Sequence, residues 1–192
     1  KMNLQTLTPP SGEPLSLADA KLFARVGSDH EDALLGQLIA AARARVEAET
    51  GLALVTRTLR LTLTDWPLGV LEREAFRLPR APAASLVAVR LRDGEVSEDA
   101  TDRFELTAGL SPRLTPQPFG AWAWPRSVHE RIEIDWVAGF GDSADVPEDL
   151  VEAVKLVTAH AFEYRNATDW RAEDALKDRL KALLQPWREM RI

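Results

Sequence analysis

The sequence predicts an α+β fold in which a core of four helices, two N-terminal and two C-terminal, carries an antiparallel β-rich insertion. Apolar residues recur at helical spacing in residues 16–56 and 138–185, whereas they alternate with polar residues in much of 57–137. Residues 1–15 and 186–192 show neither pattern, so we expect an extended arm and a C-terminal tail there. With 45% hydrophobic residues in a chain of 192, the protein can bury a core.

The composition excludes several classes of protein. The chain contains no cysteine, so it forms no disulfide and no thiolate metal site. No apolar run approaches the roughly 18 residues that span a bilayer, and the first residues lack the apolar stretch of a signal peptide. The formal net charge of −6 disfavours specific binding to DNA, because phosphate binding normally needs clustered lysine and arginine.

The N-terminal half predicts two capped helices. Ser16 and Asp19 have the spacing of a capping box, in which each side chain accepts a free backbone N–H at the helix start. Gly27 is predicted to end the first helix, and the Ser-Asp-His-Glu stretch at 28–31 supplies a second box. The second helix then continues to Gly51, a favourable residue at a helix C-terminus.

The second helix has one apolar and one charged side. Its charged side contains two pairs at i,i+4 spacing, Arg43–Glu47 and Arg45–Glu49, which we interpret as a solvated face. The apolar stripe consists of Leu35, Leu38, Ile39, Ala42 and Val46.

The hydrophobic period changes to two after Arg57, which indicates strands. The first strand alternates leucine with threonine and arginine, and a turn is expected at Asp93–Gly94. In the strand at 86–92 the residues expected to point inward are Val87, Val89 and Leu91. Further strands are predicted at 75–78, 103–106, 113–115 and 132–136, and the last of these closes the sheet.

The stretch from Ile132 onwards predicts a strand, a glycine turn and a helix. In the strand, Glu133 and Asp135 occupy the positions of a wet face between buried apolar residues. Gly139 and Gly141 allow a sharp reversal, because glycine adopts positive φ at little cost. Pro147 marks the start of the third helix, since a first-turn proline has no hydrogen bond to lose. That helix carries the apolar stripe Leu150, Val154, Val157 and Ala161.

The fourth helix is predicted to begin near residues 168–169 and to end at Pro186. Its apolar stripe contains Leu176, Leu180, Leu183 and Trp187. The short tail after Pro186 combines large apolar side chains with arginines, the types that dominate interface hot spots. Two interpretations stay open: Trp187 packs on the fourth helix and the last residues fray, or the tail docks on a partner. The candidate docking residues are Trp187, Arg188, Met190, Arg191 and Ile192.

Few residues suggest chemistry. His30, His129 and His160 have no second ligand at i+3 or i+4, so their spacing does not indicate a metal site. The loop at 139–142 lacks the third glycine of a dinucleotide fingerprint and the Gly-Lys-Ser/Thr of a P-loop. Trp122 and Trp124, in a proline-rich loop, either belong to the core of the β block or contact a neighbouring subunit. The sequence therefore predicts no enzyme and no cofactor.

Two stretches resemble the head-tail connector (adaptor) proteins of long-tailed bacteriophages and gene transfer agents. Residues 132–165 contain Ile-x-Ile-x-Trp-x-Ala-Gly-Phe-Gly-Asp, Val-Pro-Glu-Asp-Leu and Ala-x-Ala-Phe-Glu-Tyr-Arg. Residues 41–54 contain Ala-Ala-x-x-x-Val-Glu-x-x-Thr-Gly-Leu-Ala-Leu. The resemblance carries no catalytic residue and implies a structural protein.

The resemblance implies a ring of about twelve subunits between the portal protein and the tail. It implies a portal protein and a tail-side stopper or terminator protein as partners, with the C-terminal tail reaching into the portal ring. It further implies that DNA passes through the lumen without specific binding, and that the chain is cytoplasmic during assembly and then part of the particle. The alternative is a small α+β enzyme or ligand-binding regulatory protein, which requires a concave pocket with convergent polar groups.

Overall fold

A computed structural model describes residues 2–67, 70, 74–117, 131–165 and 170–188. The chain divides into two compact units, and each contains segments that are distant in sequence. The β unit comprises Lys1–Pro10 and Thr56–Gly139, and the helical unit comprises Ser11–Val55 and Phe140–Ile192. No helix among the described residues is both long and apolar enough to cross a membrane.

The β unit contains two antiparallel sheets. The strands of the larger sheet follow the order β1-β2-β8-β4-β5, and those of the smaller sheet follow the order β3-β7-β6. The strand bounds are β1 (Met2–Thr8), β2 (Arg57–Leu63), β3 (Phe76–Arg77), β4 (Ala83–Asp93), β5 (Val96–Asp99), β6 (Phe104–Thr107), β7 (Arg113–Pro116) and β8 (Arg131–Ala138).

Strand β8 lies at the centre of the larger sheet, with β2 on one side and β4 on the other. Leu61 of β2 lies opposite Ile134, which in turn lies opposite Val89 of β4, and all three side chains are fully buried. Trp136 on the same face is also fully buried. The expectation that β8 closes the sheet was wrong, because β4 covers its second edge.

Two predictions for the β unit differ from the structure. Residues 2–8, part of the expected extended arm, pair with β2 as an edge strand. Val87, expected to point inward, is exposed because the register with β8 shifts between Leu86 and Ala88. This irregularity brings Ala88 into the core in place of Val87.

The helical unit contains four α-helices among its described residues: α1 (Leu17–Ala24), α2 (Asp32–Thr50), α3 (Glu148–Glu163) and α4 (Trp170–Leu184). Helices α1, α2 and α4 each contact α3. On α4 the third buried leucine is Leu184, whereas the predicted Leu183 is only half-buried. Ala161 on α3 is also half-buried. The main buried residues are Leu35, Ile39, Ala42, Val46, Leu150, Ala153, Val154, Leu176, Leu180 and Leu184.

The ends of the first two helices follow the sequence only in part. The Ser16 hydroxyl accepts the Asp19 N–H at 3.0 Å, but the Asp19 carboxylate accepts the Ser16 hydroxyl and no backbone N–H. Helix α1 ends before Gly27, at Arg25, which adopts a left-handed conformation with φ 55°. The second predicted box was also wrong, because Glu31 precedes α2 without a side-chain cap. Gly51 ends α2 at φ 76°, as expected.

The two charge pairs of α2 have different environments. Arg43 binds Glu13 at 2.7 Å and Glu47 at 3.2 Å, and the side chains of Arg43 and Glu47 are mostly buried. The second oxygen of Glu47 accepts the Leu54 N–H at 2.9 Å. Arg45 and Glu49, 3.2 Å apart, are more exposed. The interpretation of a solvated face was therefore wrong for Arg43 and Glu47. This pair binds Glu13, which precedes α2, and Leu54, which follows it.

Candidate functional site

The end of α4 is anchored to α3 by Trp187. A short 3₁₀ helix follows α4 at Gln185–Trp187, with Pro186 in its first turn. The Trp187 indole N–H donates to Asp149 Oδ2 at 2.6 Å, and its ring meets Phe140 edge-on with centroids 5.6 Å apart. Trp187 therefore packs within its own unit, on residues outside α4.

The glycine turn positions Phe140 for this contact. Gly139 and Gly141 have φ of 132° and 143°, in the region that favours glycine. Between them, the Phe140 N–H donates to the Leu54 carbonyl at 3.1 Å. Pro147 is the N-cap of α3, which begins at Glu148. The predicted turn residues therefore surround one of the two side chains that hold Trp187.

Arg188 continues from this anchor towards solvent. Its guanidinium lies 3.1 Å from Glu49 Oε2, and both side chains are partly exposed. Its backbone N–H donates to the Leu184 carbonyl at 3.0 Å. The other predicted docking residues, Met190, Arg191 and Ile192, lie outside the described residues, as do Trp122, Trp124 and His129.

An open groove of about 580 Å³ lies beside the Trp187 anchor. Its polar groups include the carboxylates of Glu148, Asp149 and Glu152 and the ammonium group of Lys155. Asp149 is already bound to Trp187, and Lys155 lies 3.2 Å from Glu152. The remaining lining residues are Pro14, Ser143, Ala144, Val146, Val151 and Leu183. Three of its four charged groups therefore already have a partner, and the arrangement does not resemble a catalytic set of acids and bases.

His160 and the glycine loop serve local structure. His160 Nε2 lies 3.1 Å from Glu173, and the His160 ring packs on Tyr164. The Asp142 N–H donates to Asp145 Oδ2 at 2.8 Å, which caps a 3₁₀ turn. Among the described residues, no group of three or more His, Cys, Asp or Glu side chains could hold a metal ion.

Two buried carboxylates on β8 form an ion network that the sequence did not predict. Glu133 and Asp135, expected on a wet face, are 3% and 2% exposed. Asp135 receives two hydrogen bonds of 2.7 Å from Arg60 on β2 and one of 2.6 Å from Arg90 on β4. Glu133 lies 3.3 Å from Arg60 and 3.1 Å from Arg92. The arginines of both neighbouring strands thus cover the carboxylates of the central strand.

This network shifts the acid–base equilibria of its members. Burial alone raises the pKa of the Asp135 carboxyl, but hydrogen bonds from Arg60 and Arg90 and their charges outweigh it, so the pKa lies below the usual 3.8. The hydrogen bond to Asp135 raises the pKa of Arg60 above its usual value. Both groups therefore stay charged at neutral pH and hold the three strands together.

Comparison with solved structures relates the whole chain to gene transfer agent (GTA) particles. A chain from the neck of an empty GTA particle, computed with C6 symmetry, matches with a TM-score of 0.82 and 30% identity over 99% of this chain and 97% of its own. A chain from the virion of a native GTA particle matches with a TM-score of 0.80 and 32% identity over 98% and 96%. A chain from the neck of a native GTA particle, computed with C12 symmetry, matches with a TM-score of 0.78 and 31% identity over 99% and 97%.

No protein-family model and no curated protein sequence matches the chain. The fold and the nearly complete coverage nevertheless define a structural component of a phage-like particle, and they confirm the predicted α+β class with four helices and antiparallel sheets. Because identity reaches 30–32% over almost the full length, the chain belongs to the family of neck proteins that these GTA chains represent.

Proposed function

We propose that the chain is a head-tail adaptor of a phage or phage-like particle and forms a ring between the portal and the tail. The observation that carries this proposal is the match over 99% of the chain to a protein in the neck of a GTA particle. Related necks computed with C6 and C12 symmetry support a closed ring, and the latter supports about twelve copies. A cyclic ring needs two different surfaces on each copy.

The charge of the chain fits a channel through which DNA slides. Each copy carries a formal net charge of −6, so a ring accumulates a large negative charge around its axis. A lumen of that sign repels phosphates and prevents DNA from sticking. The adaptor assembles in the cytoplasm and then remains in the particle.

The C-terminal tail is the segment that docks on the portal protein, and the opposite side of the ring receives a stopper or terminator protein. Trp187 positions this tail through Asp149 and Phe140. Arg188 is the last residue of the tail that the structure describes, and it is partly exposed beside Glu49. Arginine in such a position binds planar carboxylates well, which suits an acidic groove on a partner.

The experiment mixes the full chain with the portal protein of its own particle and measures the complex by light scattering and electron microscopy. We expect a ring bound to the portal. Deleting Met190–Ile192, or making Arg188→Glu, weakens binding at least about fivefold, because hot-spot contacts typically contribute 1 kcal/mol or more. The matched control is Lys177→Glu, an exposed charge on α4 that pairs only locally with Asp174 among the described residues.

Both tail variants should keep the unfolding transition of the wild type, since the anchor at Trp187 remains. Normal attachment of the truncated chain to the portal would remove the docking role of the tail. Failure of the full chain to bind any portal ring would contradict the adaptor function itself.

A further inference from the structure

The larger sheet ends in two edges that pair with no other strand among the described residues. Strand β1 contains Met-Asn-Leu-Gln-Thr-Leu-Thr, with no charged residue and no proline, and six of its seven residues are exposed. Edge strands normally carry lysine, proline or inward charges that prevent pairing with another chain. Strand β1 lacks these side chains, and its register irregularity lies only at its end, between Thr6 and Thr8. Its outer edge is therefore suited to pair with another strand.

The second edge has different chemistry. Strand β5 has only four residues, and it carries Glu98 and Asp99. Two β5 strands side by side would bring these acids together, which is unfavourable. A β5 strand beside the uncharged β1 meets no like charge. The two edges are thus compatible with each other, whereas pairing of β5 with a second β5 is disfavoured by the charge of Asp99 and Glu98, of which Glu98 is offset by Arg103.

The directions of the two edge strands agree with a rotation between copies. Each of the four strand pairs in the order β1-β2-β8-β4-β5 is antiparallel, so β1 and β5 run in the same direction. Rotation about an axis along the strands preserves that direction and places β1 of one copy parallel to β5 of the next. A two-fold contact would instead pair β1 with β1 and would close a dimer.

We propose that β1 of each copy pairs in parallel with β5 of the neighbouring copy, so that the five-stranded sheets join around the ring. This inference rests on the proposed ring and specifies its heterologous interface. Parallel pairing over the four residues of β5 forms few hydrogen bonds, so the contact is weak for one pair of copies. It becomes stable when the ring closes, because every copy then makes two such contacts.

The experiment uses the absence of natural cysteines. The double variant Gln5→Cys with Ser97→Cys places one thiol on each edge strand, and the rings assembled on the portal protein are treated with a short bismaleimide cross-linker. We expect a ladder of covalent species that extends beyond dimers to the complete ring. Each single variant should give no ladder. The matched control, Gln5→Cys with Leu110→Cys, uses an exposed residue outside both edges and should give none either.

Hydrogen exchange supplies a second measurement that does not depend on the register of the two strands. Amides of β1 should exchange more slowly in the ring than in the isolated chain, because pairing protects their outer N–H groups. Rings with neither a ladder nor this protection would overturn the edge-strand inference and leave the adaptor function intact. Dimers from Gln5→Cys alone would indicate two-fold pairing and also overturn it. Absence of any ring, measured by light scattering, would contradict the proposed function and the inference together.

Discussion

The most unusual residues of the chain are the two acids at the centre of the larger sheet. Aspartate and glutamate are rarely buried unless they are paired, because removal of a carboxylate from water costs several kcal/mol. Asp135 offsets this cost with three hydrogen bonds from Arg60 and Arg90. Since these arginines come from the strands on either side, the network also selects the register of β2 and β4 on β8.

We expect Asp135→Asn to lower the free energy of unfolding by about 3 kcal/mol, because the substitution leaves two guanidinium groups beside a neutral amide. In the wild type the pKa of the Asp135 carboxyl is lowered in the folded state. Its contribution to stability is therefore present above the unfolded pKa of about 3.8, and it is lost as the pH falls through the folded pKa. Urea unfolding at pH 7 and at lower pH measures both effects.

The matched control for this prediction is Asp174→Asn on α4. Asp174 is 61% exposed and lies 3.3 Å from Lys177, so its loss should change stability by less than about 1 kcal/mol. If the two variants unfolded at the same urea concentration, the network on β8 would have no special role in stability.

At the scale of elements, the sequence predicted those parts whose periodicity results from burial on one side. Helix α2 buries Leu35, Ile39, Ala42 and Val46, and β2 buries every second residue. Their hydrophobic patterns could therefore be recognised in the sequence. Strand β1 is exposed on both faces and therefore has no period that could distinguish it from an arm. Strand β8 is buried on both faces, so the prediction that Glu133 and Asp135 lie on a solvent-exposed face was wrong.

Predictions from local sequence patterns also failed where tertiary contacts determine the conformation. Nothing in the sequence distinguishes Arg25 as the residue that takes a left-handed conformation, because a nearby glycine is intrinsically better suited. For the candidate site, the pattern identified Trp187 as a residue that needs a partner. The partners Asp149 and Phe140 lie 38 and 47 positions earlier in the chain, beyond the reach of any local pattern.

In the glycine turn between β8 and α3, the backbone leaves no room for a side chain at residue 141. Gly141 has φ 143°, and a Cβ atom there would overlap the Asp145 side chain that caps the following 3₁₀ turn. We expect Gly141→Ala to lower the free energy of unfolding by about 1–3 kcal/mol. Thermal and urea denaturation measure this change.

Substitution of Gly36 is the control, and its expected effect on the free energy of unfolding has the opposite sign. It lies in α2, and a Cβ atom at that position would contact nothing within 4 Å. Gly36→Ala should therefore stabilise the chain by about 0.5–1 kcal/mol, since alanine is the better helix former. Equal effects at the two positions would show that the turn geometry does not restrict residue 141.

At the scale of the whole molecule, the two units differ in what they can contribute to a particle. In the described part of the β unit, the outer edges of β1 and β5 pair with no strand, so their backbone groups are available to a neighbouring copy. The helical unit holds the base of the tail, fixed by Trp187, which suits attachment to a different protein. The proposed adaptor needs both kinds of contact, because it would join copies of itself and also the portal protein.

The distribution of exposed apolar residues predicts how the isolated chain behaves. Among the described residues, the large apolar side chains that remain exposed are spread over six segments, with at most two on each: Met2, Leu7, Leu22, Phe23, Val87, Val96, Leu110 and Trp170. An obligate dimer requires a larger contiguous apolar patch.

We therefore expect a folded monomer or weak oligomer in light scattering over a wide concentration range. Addition of the portal protein should convert it into a closed ring, because a template supplies the effective concentration that weak contacts lack. A tight dimer whose mass does not change with dilution would contradict the ring.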